Sequence, residues 1–202
     1  EINVTGWYAP AMNGHRSAFD GRNFEYYSED SVLAGYIGAS SIAGAQSYGV
    51  YAYMKHFALN DQETMRTTVA TLSNEQAIRE IYMRAFEGSL AEGDSLGVMT
   101  AYNRVGITQD NAHTGLMKNI LRNEWGFQGL ISEDFIQNAN YVVLKEAVLN
   151  GVTMSCNTGD NTMAAVSEKY PYWTVEAVSQ DTTMMTALKQ AMKYQNYALA
   201  NS

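Results

Sequence analysis

The sequence predicts an α/β protein with a parallel sheet, because short apolar stretches alternate with amphipathic helical stretches. The predicted strands cover residues 3–9, 50–57, 96–101, 129–133 and 152–155. The predicted helices cover about 31–47, 74–92, 114–125, 140–149 and 175–200. An open doubly wound sheet accommodates five strands, whereas a closed eight-stranded barrel needs roughly 250 residues. The local pattern therefore leaves these two architectures open.

The helices follow from their local patterns. The helix at 31–47 is rich in Gly and Ala, which favours close packing against a sheet, and Gly49 follows as its stop. The helix at 74–92 begins with Ser73 and Gln76 in a capping-box spacing. Its apolar residues fall on one stripe; they are Ile78, Ile81, Tyr82, Ala85, Phe86 and Leu90.

Composition and charge restrict the classes of function. The 202 residues are enough for one domain with a substantial core. A net charge of -8 argues against a nucleic-acid partner, because no basic stripe is present to neutralise phosphates. No apolar run has the length of a membrane span, and the histidines lack metal-site spacing, so we predict neither a membrane partner nor a metal site. The single cysteine, Cys156, excludes an internal disulfide and does not indicate a compartment.

Polar residues end or follow three of the predicted strands. Lys55 and His56 end the second strand, Tyr102 follows the third, and Asp134 follows the fourth. In βα-repeat proteins the C-terminal ends of strands are where side chains meet a substrate. We therefore expect these groups to converge, with Asp134 carrying the chemistry. An aspartate at this position also commonly caps the following helix, so its position alone leaves both roles open.

Four segments contain closely spaced polar and aromatic residues. They are GRNFEYYSED at 21–30, KHFALNDQE at 55–63, VMTAYN at 98–103 and LRNEWGF at 121–127. In this order they resemble motifs of the family 3 glycoside hydrolases, the β-glucosidase and β-xylosidase family. The resemblance implies an α/β fold of the (β/α)8 TIM-barrel type. About five βα units are present, so we expect 1–202 to be a single domain, the C-terminal portion of a family 3 barrel whose first strands are missing.

The resemblance also implies roles for individual residues. Asp134 matches the catalytic nucleophile of a retaining mechanism, in which a second carboxyl group lies roughly 5–5.5 Å away. Nearby cations such as Lys55 and Arg22 would favour the ionised form that attack requires.

The substrate-binding roles implied by the resemblance fall on five residues. Arg22, Lys55 and His56 match groups that bind sugar hydroxyls, and Tyr102 matches a tyrosine that orients the nucleophile. Phe135 stands where the family usually carries Trp, and its ring still allows stacking on a sugar face. The simpler interpretations are an ion-paired arginine, a solvated lysine, a core histidine and a structural tyrosine.

The acid/base glutamate has no matching motif in this chain. Glu25, Glu63 and Glu124 lie in motifs where the family's glutamate is structural. Glu133 stands where a small Ser or Thr is usual, and strand alternation should turn it away from Asp134. We expect the acid/base, the remaining barrel and a second α/β domain to come from the same parent chain or another polypeptide.

The function implied is a retaining exo-β-glycosidase of carbohydrate metabolism. It would release terminal β-D-glucosyl residues from an oligosaccharide or β-glucoside and needs no cofactor. A β-xylosidase remains an alternative. A β-N-acetylhexosaminidase is disfavoured, because residues 58–61 replace the Pro-Gly-His-Gly type loop of those relatives. A non-catalytic carbohydrate-binding or structural module also fits the missing acid/base, but it gives no reason for Asp134 beside Lys55 and His56.

Overall fold

A computed structural model describes residues 4–135, 143–156 and 174–202. Its strands are β1 (Gly6–Trp7), β2 (Tyr51–Phe57), β3 (Ala70–Thr71), β4 (Gly97–Thr100), β5 (Arg104–Val105), β6 (Thr108–Gln109) and β7 (Leu130–Ser132). Strands β1, β2, β4 and β7 form one parallel sheet in that order. Strands β3, β5 and β6 form a second, small sheet.

Helices lie in the connections between the strands of the parallel sheet and in the C-terminal part of the chain. The α-helices are α1 (Ser31–Gln46), α2 (Glu75–Ala77), α3 (Arg84–Gly93), α4 (Leu144–Leu149), α5 (Val175–Gln180) and α6 (Thr182–Ala200). Two further helices, Ile78–Tyr82 and Gly115–Glu124, have π-type hydrogen bonding, and a buried 3₁₀ turn spans Asp110–Ala112. Within the described ranges, no helix combines the length and apolarity that crossing a membrane requires.

The predicted parallel α/β arrangement is confirmed, with shorter strands at its two sides. The first strand is reduced to β1, and residues 1–3 lie outside the described part. The stretch predicted as a strand at 152–155 forms only an isolated parallel bridge from Met154 to Ser132. The small second sheet was not predicted, because two-residue strands are too short to show alternation.

The helix predictions hold with corrections: the stretch predicted at 74–92 consists of α2, the π-type helix Ile78–Tyr82 and α3. Ser73 is not the N-cap of the second helix: the Asn74 side chain accepts a hydrogen bond from the Ala77 amide at 2.8 Å. The helix predicted at 175–200 is divided at Asp181, whose extended backbone ends α5 and whose carboxylate caps α6. Residues 140–142 of the predicted helix at 140–149 lie outside the described part of the chain.

The small residues of α1 bring it close to α3. A Cβ added at Gly93 would lie 2.8 Å from the Ala39 Cα, so only glycine permits this approach of the two backbones. The helix ends at Gln46, and Gly49 takes a left-handed φ of 73°, which confirms it as part of the stop. We predicted that α1 would pack against the sheet; it contacts β2, and its closest backbone approach is to α3.

Arg122 connects the π-type helix Gly115–Glu124 to two loops. It is 6% exposed, and its guanidinium donates to the carbonyls of Phe127, Gly129 and Gly151 at 2.7–2.9 Å. The Tyr194 ring of α6 stacks on the guanidinium, with the Arg122 Cζ 3.6 Å from the ring centroid. One cation therefore satisfies three main-chain acceptors, two of which lie just before the start of β7.

We expect Arg122→Met to reduce the free energy of unfolding by about 3–5 kcal/mol, because three carbonyls lose a charged donor. Thermal and denaturant unfolding measure this loss. Arg79→Met is the matched control, since Arg79 forms exposed ion pairs with Glu75 and Glu124 and should change stability little. Equal effects in the two variants would contradict the prediction.

Candidate active site

The pairing of three strands brings the predicted site residues together. Gly97 of β4 lies opposite Tyr53 of β2 and Leu130 of β7, so the C-terminal ends of these strands are neighbours. The β2–β4 register shifts between Met54 and Phe57, where Lys55 and His56 lie. The Lys55–His56 and Phe57–Ala58 peptide bonds are cis.

Asp134 lies two residues after β7 and close to His56. Its Oδ1 accepts a hydrogen bond from the Phe135 amide at 2.8 Å, and its Oδ2 lies 3.6 Å from the His56 Nε2. The two side chains are 10% and 2% exposed. Within the described residues, the buried Asp134 Oδ2 has no hydrogen-bond partner. Buried carboxylate oxygens are rarely left unpaired, so this atom faces a position that another group is expected to fill.

The surroundings act in opposite directions on the pKa of Asp134. Burial raises this pKa. The hydrogen bond from the Phe135 amide lowers it, as do the positive charges of Arg66, Arg22 and Lys55, and the net shift is upward. For His56, burial and the same cations all lower the pKa, which ends well below its usual range. The imidazole is therefore neutral at neutral pH and able to both donate and accept hydrogen bonds.

Two glutamates hold the cations in place. Glu25 pairs with the Lys55 Nζ at 3.2 Å and with the Arg22 Nε. Glu63 pairs with Arg22 at 3.5 Å and with Arg66 at 3.2 Å. Arg22 is therefore ion-paired, as the simpler interpretation of it required. Both glutamates act on the site through the cations, consistent with the structural role predicted for them.

Arg66 was not among the predicted site residues. Its guanidinium lies 4.6 Å from the centroid of the Tyr102 ring and within the electrostatic reach of Asp134. Its position three residues after the Glu63 that ends the KHFALNDQE segment was the signal available in the sequence.

Asn13 is a second residue that sequence reasoning missed. Its side-chain amide donates to the His56 carbonyl at 3.1 Å and accepts from the His56 amide at 2.9 Å. Asn13 belongs to the loop at 12–30, which precedes α1. The Tyr26 hydroxyl of the same loop donates to the Asn60 carbonyl at 3.0 Å and so attaches the loop to the segment after β2. No spacing pattern marks Asn13, because its partner lies 43 positions along the chain.

Tyr102 and Phe135 complete the group around Asp134. The Tyr102 hydroxyl donates to the Phe135 carbonyl, so its contact is with the main chain next to Asp134. The Phe135 ring is 43% exposed and meets the Tyr8 ring edge-on, with centroids 6.4 Å apart. An exposed aromatic surface thus borders the buried carboxylate.

Glu133 has contacts separate from those of Asp134, as strand alternation predicts. Its Oε1 accepts from the Asn111 Nδ2 at 2.7 Å and its Oε2 from the Ser155 hydroxyl at 3.0 Å. Burial raises the pKa of Glu133 to about 7. Glu124, the other glutamate considered from the sequence, pairs with Arg79 on the surface.

Comparisons with known proteins identify the family to which the chain is similar. Residues 1–194 match the Glycosyl hydrolase family 3 N terminal domain. The chain is 46% identical to Beta-glucosidase B of Emericella nidulans over 127 residues, which are 63% of the chain and 15% of that protein. It is 39% identical to Beta-glucosidase A of Butyrivibrio fibrisolvens over 170 residues, 84% of the chain and 20% of that protein.

A solved structure shows the same fold. Beta-glucosidase 3B from Thermotoga neapolitana, in complex with alpha-D-glucose, superposes with a TM-score of 0.85 and 34% identity. The match covers 98% of this chain and 27% of that one. The barrel-type fold that the motifs implied is confirmed. With a family match over residues 1–194, this chain belongs to glycosyl hydrolase family 3.

Proposed function

We propose that this chain supplies the nucleophile and part of the sugar-binding site of a retaining exo-β-glucosidase. The observation that carries the proposal is the Asp134 Oδ2, which is buried without a hydrogen-bond partner among the described residues and lies 3.6 Å from His56. A structural or helix-capping aspartate would satisfy this oxygen with donors. A nucleophile must instead leave it available to the anomeric carbon.

In the first step, the Asp134 Oδ2 attacks the anomeric carbon of the terminal glucosyl unit. The bond from that carbon to the leaving oxygen breaks, and a carboxylic acid protonates this oxygen. In the second step, the resulting carboxylate takes a proton from water, whose oxygen attacks the anomeric carbon. The ester bond to Asp134 breaks, so the carboxylate is regenerated and the β configuration is retained.

The acid/base is a glutamate from outside this chain. Glu25 and Glu63 are held in ion pairs with the site cations, and Glu133 is held by Asn111 and Ser155. The chain spans 15% and 20% of the two curated relatives. In this proposal, 1–202 is one domain, the C-terminal portion of the barrel, and the remaining strands and a second α/β domain complete the enzyme.

Sugar recognition uses the polar groups beside Asp134. Neutral His56 suits a hydroxyl, which also donates and accepts, while Lys55 and Arg22 donate only. A glucose-like substrate is supported by the names of the relatives and by the alpha-D-glucose in the Thermotoga neapolitana structure. Phe135 and Tyr8 offer an apolar surface for the leaving sugar.

A 2-deoxy-2-fluoro-β-glucoside should label Asp134 in the complete enzyme, because the fluorine slows hydrolysis of the glycosyl ester. Peptide mass spectrometry locates the adduct. Asp134→Asn should remove the adduct and reduce kcat by several orders of magnitude while glucose still binds. Glu124→Gln is the control and should be labelled normally. The absence of any adduct in the wild type would favour a carbohydrate-binding module instead.

The acidic limb of the kcat/KM profile should lie above the pKa of an ordinary aspartate. Attack requires the ionised form, and the pKa of Asp134 is raised by burial, so activity is lost as the pH falls through that raised value. Arg66→Met should move the limb to still higher pH, because it removes a charge that lowers this pKa. Arg79→Met should leave the limb in place. A limb that stays fixed or moves down in Arg66→Met contradicts this electrostatic account.

Glu25→Gln should raise KM roughly 10-fold, because Lys55 and Arg22 lose the carboxylate that orients them. Initial-rate kinetics and the inhibition constant of glucose measure the effect. Glu29→Gln, the same change at an exposed position of the same loop, is the matched control. If both variants bind glucose as the wild type does, Glu25 does not hold the sugar-binding cations.

A further inference from the structure

Glu133 is a buried carboxyl group that the mechanism does not use. It is 2% exposed and directly precedes Asp134. Its side chain bridges Asn111 and Ser155, and its amide donates to the Met154 carbonyl at 3.0 Å. The residue before Asp134 is thus attached through both its main chain and its side chain.

The Asn111 end of this bridge leads to the other strand ends. Asn111 lies in the buried turn Asp110–Ala112. In the same turn, the fully buried Asp110 carboxylate accepts from the Ala58 amide at 3.1 Å and from the Ala101 amide at 3.0 Å. Ala58 follows β2, two residues after His56, and Ala101 follows β4, just before Tyr102.

The turn and Glu133 therefore form one connected set of buried contacts. Through Asp110 the set holds the ends of β2 and β4, and through Glu133 it holds the end of β7 and Ser155. Glu133 and Asp134 also line the same small pocket, together with Tyr102, Gln109 and Asn111. A shift at the contact between Asn111 and Glu133 would move Asp134 relative to His56.

We propose that Glu133 is a positioning residue, which places Asp134 against the sugar-binding groups by joining the end of β7 to the Asp110–Ala112 turn. This inference rests on the proposed function, since it concerns how the nucleophile is placed. A serine or threonine in place of Glu133 would be too short to reach both partners. Asn111 serves as the donor, while Ser155 both donates and accepts, so the carboxyl group keeps both contacts with or without a proton.

The test reverses the direction of the hydrogen bond. Asn111→Asp puts a second carboxyl group against Glu133, and the contact survives only while the two share a proton. In the double variant Asn111→Asp/Glu133→Gln, the new amide donates to the new carboxylate and accepts from Ser155. The other titratable groups around this contact are Asp110 on the turn, Asp134 on the same strand end, Tyr102 in the pocket and Cys156 after Ser155.

The measurement is the rate at which a 2-deoxy-2-fluoroglucoside with an activated leaving group labels Asp134 in the complete enzyme, from acidic to alkaline pH. Such a leaving group needs no acid catalyst, so the profile reports on the nucleophile. We expect Asn111→Asp to be labelled roughly 10–100-fold more slowly at alkaline pH, with little change in the inhibition constant of glucose. The double variant should recover most of the rate across the range, and Asn123→Asp, an exposed control, should behave as the wild type.

Two results overturn the inference while the wild type is labelled at Asp134: an Asn111→Asp profile identical to the wild type, or a double variant as slow as the single one. Should Asn111→Asp not fold, Ser155→Ala removes one contact of Glu133 instead. Slower labelling of Ser155→Ala with unchanged glucose binding supports the role, and the wild-type rate rejects it. A wild type that is not labelled at all rejects the proposed function, and the positioning role with it.

Discussion

Burial of one carboxylate beside three cations is the constraint on which the candidate site depends. Burial raises the pKa of Asp134, and the hydrogen bond from the Phe135 amide and the field of Arg66, Arg22 and Lys55 oppose this shift. Cations in direct contact would instead occupy the Asp134 Oδ2, the oxygen proposed to attack. Glu25 and Glu63 hold the cations in ion pairs. The cations therefore act on Asp134 through their electric field and leave its Oδ2 without a hydrogen-bond partner among the described residues.

The backbone fixes the positions of Lys55 and Asp134, because β2, β4 and β7 are parallel neighbours. Side chains at or just after the C-terminal ends of these three strands therefore lie at one edge of the sheet. The 12–30 loop then closes over this edge, where Asn13 binds both main-chain polar groups of His56. The site is thus assembled both by main-chain contacts between segments distant in sequence and by the ion pairs of Glu25 and Glu63 with its cations.

Sequence reasoning reached the features that local chemistry determines. Apolar runs located the long central strands, and polar residues at their ends located His56, Tyr102 and Asp134. The barrel required the family resemblance, because local periodicity does not encode closure. Arg66 and Asn13 were missed because their roles arise from contacts with Tyr102 and His56 across the fold. The capping residue was misplaced by one position because Ser73 and Asn74 are both good N-caps, and only the backbone geometry selects Asn74.

The same field has different consequences for the two buried titratable groups at the centre of the site. Positive charge lowers the pKa of both Asp134 and His56, whereas burial raises that of the acid and lowers that of the base. The effects of burial and positive charge on the pKa thus oppose each other at Asp134 and reinforce each other at His56. The imidazole is therefore neutral at neutral pH and does not form an ion pair with the carboxylate 3.6 Å away. In the proposed mechanism, a charged imidazolium would bind the Asp134 Oδ2 and weaken it as a nucleophile, so a neutral His56 is compatible with a position this close to Asp134.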